Sequence, residues 1–145
     1  MWFTETNADR IGRITPEGVI TELGLAPPVI AKLKVTNARF RAAGTHTALV
    51  GRASRRVPVG TAFTFRLTVY SSVKITIERR TGSGRYVTSG TLKRSGVRPG
   101  SVKIAFNGRL GGKALRPARY RASVVATSEG QKSRTSRVTF TVVSG

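Results

Sequence analysis

The stretch Leu115-Arg-Pro-Ala-Arg-Tyr-Arg-Ala-Ser-Val-Val-Ala126 reads as a turn feeding a β-strand. Tyr120, Ala122, Val124 and Ala126 fall on one side of a period-2 alternation, and Arg119, Arg121 and Ser123 fall on the other. A strand with one apolar and one polar face belongs in a sheet that packs on a core with one side and meets water with the other. The rest of the chain from about Val29 onward can be arranged around it.

Strands of the same kind lie on both sides. Downstream, Ser136 to Val143 places Val138, Phe140 and Val142 inward. Upstream, Gly100 to Phe106 alternates Val102, Ile104 and Phe106. Thr61 to Tyr70 turns Phe63, Phe65, Leu67 and Val69 inward, and Val73 to Arg80 does the same with Val73, Ile75 and Ile77, with Ser71-Ser72 as the bend between them. Arg85 to Lys93 is more polar, which suits an edge strand, with Gly90 as its bulge. Ile30 to Thr36 is a half-buried strand, and the long connection 37–60 is expected to hold a pairing segment near Ala48-Leu-Val50. About seven strands with frequent turn signals and no helical period predict an all-β chain whose residues 30–145 form a two-sheet Greek-key sandwich.

The run Leu115-x-Pro117-x-x-Tyr120-x-Ala122 resembles the corner and following strand of immunoglobulin-like and fibronectin-III-like sandwiches. In those domains a Tyr at the strand start turns its hydroxyl back onto nearby backbone. The resemblance therefore makes Leu115, Pro117 and Tyr120 a structural corner. It departs from a true immunoglobulin domain in two places: Ala122 stands where the second inter-sheet Cys would follow, and the only Trp is Trp2, far from the third strand. The series from Phe65-Arg-Leu67 through Glu78-Arg-Arg80 and Gly90-Thr-Leu92 to Ala126-Thr-Ser-Glu-Gly130 is similar to Arg-rich C-terminal sandwiches of exported actinobacterial proteins.

Ahead of the sandwich the charge changes sign. Residues 1–24 carry Glu5, Asp9, Glu17 and Glu22 against Arg10 and Arg13, whereas the remainder carries only Glu78 and Glu129 against almost all of the chain's 26 Lys and Arg. The shift falls at Gly24-Leu-Ala-Pro-Pro28, so 25–29 reads as a linker. Within 1–24, Trp2 to Glu5, Ile11 to Ile14 and Val19 to Glu22 read as short strands joined at Asn7-Ala-Asp9 and Thr15-Pro-Glu-Gly18. The pattern W-F-T-E-x-N-x-x-x-I-G-R-I-T-P-x-G-x-I-T-E resembles part of one blade repeat of the streptogramin (virginiamycin B) lyase β-propellers, over about a sixth of the chain. A ring of several blades is needed to close a propeller. The piece is accordingly either the tail of an upstream propeller or an independent meander capping the sandwich. The family resemblance implies a catalytic His and a Mg²⁺ site, but none of residues 1–24 is a His, so no catalytic position carries over.

The side chains offer little catalytic chemistry. His46 is the single His and sits in the loop Gly44-Thr-His-Thr47 with no carboxylate close in sequence. There is no Cys, and the six carboxylates show no ligand spacing, so no cofactor or metal is expected. Gly108-Arg-Leu-Gly-Gly-Lys-Ala114 misses the phosphate-loop spacing, Gly82-Ser-Gly-Arg-Tyr-Val87 lacks the third Gly of a dinucleotide loop, and both read as turns.

What remains is charge. A net charge of +20 should attract polyanions at low salt, whether acidic cell-wall polymer, acidic polysaccharide or nucleic acid. Arg66, Lys74, Lys103, Arg119, Arg121 and Arg137 take outward strand positions. Arg52, Arg55, Arg56, Arg79, Arg80 and Arg85 lie in or near loops and are the candidate polyanion contacts. Outward strand positions are polar in any case, so the same arginines also suit a merely solvated surface. No run is apolar enough to span a bilayer, and Met1 to Asp9 has neither the basic lead nor the apolar core of a secretory signal. The expectation is a non-catalytic structural or interaction module, extracellular or wall-associated within a longer parent that carries the propeller upstream. The alternatives are the C-terminal end of a lyase-like propeller enzyme and a polyanion-binding module.

Overall fold

A computed structural model of the chain describes residues 2–5, 10–24, 26–44 and 57–144. Every regular element in them is a strand, and they group into four sheets. The first sheet is an antiparallel meander of β1 (Trp2–Glu5), β2 (Arg10–Ile14) and β3 (Ile20–Gly24). Its second turn closes at Thr15–Gly18, where the Gly18 amide donates to the Thr15 carbonyl at 2.9 Å and Gly18 takes a φ of 82°. The turn expected at Asn7–Asp9 lies outside the described residues.

Further along the chain, β4 (Ile30–Val35), β6 (Thr61–Leu67) and β9 (Gly100–Phe106) form one three-stranded sheet in the order β4-β6-β9. The facing sheet has the order β5-β14-β12-β7-β8, built from β5 (Arg39–Arg41), β7 (Ser71–Arg80), β8 (Tyr86–Val97), β12 (Ala118–Ser128) and β14 (Ser136–Val143). The short β13 (Gln131–Lys132) pairs with the end of β12. A short hairpin of β10 (Arg109–Leu110) and β11 (Lys113–Ala114) forms the fourth sheet. Seven of the sandwich strands among the described residues are six residues or longer.

The alternation read from sequence is the one that folds. Phe63, Phe65, Leu67, Ile104 and Phe106 from one sheet meet Val73, Ile75, Ile77, Tyr120, Ala122, Val124, Ala126, Phe140 and Val142 from the other, all buried. Burying each large apolar side chain contributes about 1.5–3 kcal/mol before entropy is counted. Phe140 is the hub: its ring stacks on Tyr120 with centroids 5.6 Å apart and on Phe40 at 5.4 Å, and meets Phe63 and Phe106 edge-on. The sheets are thus joined through one aromatic cluster.

Several boundaries differ from expectation. The strand at Thr61 ends at Leu67, not Tyr70, and Val69 is half-buried within the bend. Ser71 is no bend residue but the buried first residue of β7, its hydroxyl donating to the Val69 carbonyl at 2.9 Å. The edge strand runs on to Val97, well past Lys93, and its ladder to β7 slips between Ile77 and Glu78, opposite Gly90 and Thr88. A Cβ on Gly90 would lie 3.0 Å from the Leu110 side chain, so the bare backbone there lets the β10–β11 hairpin settle against β8. That hairpin turns through Gly111 and Gly112, both at positive φ (54° and 80°), as a tight two-residue connection requires.

Inside the long connection, the element found is β5, parallel to the end of β14, with Phe40 fully buried. The segment Ala48–Val50 lies outside the described residues. β5 offers one apolar residue between two arginines, which is too short to show a period.

Candidate polyanion-binding surface

The turn at Leu115–Tyr120 fixes which way β12 faces. Tyr120 is buried, and its hydroxyl donates to the Arg116 carbonyl at 2.8 Å. Burial pushes the phenol's pKa up, so it stays protonated and able to donate. Leu115 is half-buried against the core, Pro117 is exposed, and the Leu115 amide donates to the Gly108 carbonyl at 2.8 Å. With Tyr120 pinned inward, Arg119, Arg121 and Ser123 must point outward.

On that outer face the charges are partly consumed. Arg121 sits directly opposite Glu78 in the β12–β7 ladder. Its Nε and Nη2 donate to the two carboxylate oxygens at 2.9 and 3.0 Å, and the Ser123 hydroxyl donates to Oε2 at 2.9 Å. The guanidinium also lies 4.0 Å over the Tyr86 ring. The guanidinium's hydrogen bonds hold the Glu78 carboxyl below the usual range against the opposing effect of its burial, with Arg137 adding a weaker pull. Glu78 in turn raises Arg121. Arg121 is therefore a clamped side chain and a poor free contact. Lys74, Arg119 and Arg137 share its face and are exposed.

No model of a known protein family matches the chain, and no curated protein matches it.

The opposite outer face is composed differently. Lys34, Thr64 and Lys103 stand in one row across β4, β6 and β9, and Arg66 pairs with Ser101 in the next row. Between them the β4 ladder slips from Ala31 to Lys34, and Lys32 occupies the slip with a φ of 56°. These side chains line one shallow depression of about 330 Å³.

Of the loop arginines, only Arg79, Arg80 and Arg85 fall within the described residues. Arg52, Arg55, Arg56 and also His46 lie outside the described residues. Arg79 and Arg80 alternate in direction at the end of β7. Arg79 borders a hollow of about 310 Å³ shared with Lys113, Arg116 and Tyr120, while Arg80 pairs with Tyr86 on the other side of the strand. Arg85 closes the Thr81–Arg85 turn, where its carbonyl accepts from the Thr81 amide at 2.7 Å. Sequence reasoning singled out neither Lys32 nor Lys34. Lys34 carries a period-2 signal in Ile30–Val35, but the slip that brings Lys32 beside it leaves no mark in the sequence. Among the described residues no group of three His, Asp or Glu comes together.

Proposed function

We propose that the chain is a non-catalytic interaction module of the immunoglobulin-like, fibronectin-III-like kind, carried after a propeller-like region in an exported or cell-surface protein. The observation that carries this reading is the corner: Tyr120 returns its hydroxyl to the backbone at the start of β12, in a strand flanked by β14 and β7 and facing β4-β6-β9. The β1–β3 meander, a sheet separate from the sandwich, supports a blade-like appendage. On this reading the stiff sandwich presents its outer faces to a partner, and its buried Tyr and Glu78 serve the fold.

A second reading is favoured by a specific observation. Lys32, Lys34, Arg66 and Lys103 surround one depression with no carboxylate in its lining, which suits a polyanion-binding module better than a neutral spacer. The two are separated by passing the whole chain over an immobilised acidic wall polymer at low ionic strength. Retention that weakens steeply as salt rises supports polyanion binding; flow-through at the lowest salt leaves the spacer reading alone. The lyase alternative is tested in parallel by incubating the chain with a streptogramin B antibiotic and following ring opening by mass spectrometry, with no turnover expected.

A further inference from the structure

Resting on the polyanion reading, we infer that the outer face of β4-β6-β9 is a docking site for a flexible, base-free phosphodiester chain, held by its phosphates between Lys32, Lys34, Arg66 and Lys103 with Thr64 and Ser101 as hydroxyl donors.

The spacing comes from sheet geometry. Lys34 and Lys103 flank Thr64 in one row, so their backbones stand about 10 Å apart, twice the distance between neighbouring strands. Arg66 and Ser101 form the next row on the same face, about 7 Å further along the strands. Lys32 closes the fourth corner from the slip in β4. The result is a quadrilateral of cations wide enough for two successive phosphates and fringed by hydroxyls. The four charges converge on one depression with no carboxylate in its lining, whereas on the other sheet Arg121 is paired with Glu78.

Two features favour phosphates on a flexible chain over other anions. Three of the four cations are lysines, compact point charges that suit the oxygens of a rotating phosphate and do not demand the planar fit of a carboxylate fork. The one aromatic residue of the lining, Phe65, is buried in the core, so nothing there offers a stacking surface to a base. Lys32 adds an independent sign. A non-glycine residue at a φ of 56° is held against its own preference, and such positions gather at sites where a side chain must be aimed.

The experiment measures the affinity of the full chain for poly(glycerol phosphate) between about 50 and 200 mM salt, in the wild type, in K34Q/R66Q/K103Q and in R119Q/R137Q. With about four phosphates neutralised on a flexible chain, wild-type affinity should fall about fifty-fold across that range. In K34Q/R66Q/K103Q the salt slope should drop to about a quarter of its wild-type value, while R119Q/R137Q stays within about twofold of wild type. Should the triple variant fold poorly, K34Q and K103Q singly should each lower the slope by about 0.7, a quarter of its wild-type value. Loss confined to R119Q/R137Q overturns the inference and leaves polyanion binding standing. Absence of binding at about 50 mM salt overturns both. An oligothymidylate of equal phosphate number that binds more tightly, or heparin that binds equally well, also overturns the inference, because bases or sulfates would then be what the site reads.

Discussion

The two outer faces of the sandwich carry the same sign of charge and use it differently. On the β5-β14-β12-β7-β8 face, Arg121 is tied by two bonds to Glu78, buttressed by Ser123 and capped by the Tyr86 ring. On the β4-β6-β9 face, four cations share a depression with hydroxyls and no carboxylate. Net charge belongs to the composition, but free charge belongs to the register. A ladder that set Glu78 one residue away from Arg121 would turn the carboxylate to the core side and leave the arginine unclamped.

The largest effect belongs to the core that both faces share: Phe140→Ala should cost about 3–5 kcal/mol, read by urea denaturation, because it empties the hub of the aromatic cluster. Glu78→Gln should cost about 1–2 kcal/mol by leaving a half-buried guanidinium with a weaker partner. The same pair sets an acid dependence. The Glu78 pKa is depressed in the folded chain, so its contribution is full above about pH 5 and is lost as pH falls through the folded-state value. In Glu78→Gln that part of the acid destabilisation should vanish from a series of melting curves. Tyr120→Phe should cost about 1 kcal/mol, the worth of one hydrogen bond, and an unchanged melting midpoint would sink the corner. The smallest change in stability is expected of Lys32→Gly, within about 0.5 kcal/mol, because relief at positive φ offsets the entropy of glycine. It should nevertheless weaken phosphate-polymer binding, which separates the role of that residue from the fold.

Much of the sandwich is legible in the chain because half-buried strands write their burial into alternate residues. Phe63-x-Phe65-x-Leu67 and Val73-x-Ile75-x-Ile77 need no tertiary knowledge to assign, and each is buried as the alternation implies. Phe40 is as deeply buried as any of them yet carries no signal, because a three-residue strand has no period and its parallel partner lies about a hundred residues on. The proposed binding surface is harder to read for the same physical reason. Outward positions of Arg66 and Lys103 follow from alternation, but their meeting with Lys34 depends on which strands pair, and Lys32 joins them only through a slip in the ladder. The clamp on Arg121 likewise needs the register that sets it opposite Glu78. Sequence spacing along one strand says which side a charge faces. It does not say which charge on the next strand stands beside it.

The most direct test of the difference between the faces is an amide NMR titration of the intact chain with poly(glycerol phosphate) at about 50 mM salt, where electrostatic binding is strong. The expected result is a set of shifts concentrated in Ile30–Val35, Thr61–Leu67 and Gly100–Phe106, with Ala118–Ser128 and Ser136–Val143 unmoved. Shifts centred on those last two strands, or spread evenly over both sheets, would contradict the proposal that the depression between Lys32, Lys34, Arg66 and Lys103 is the binding surface.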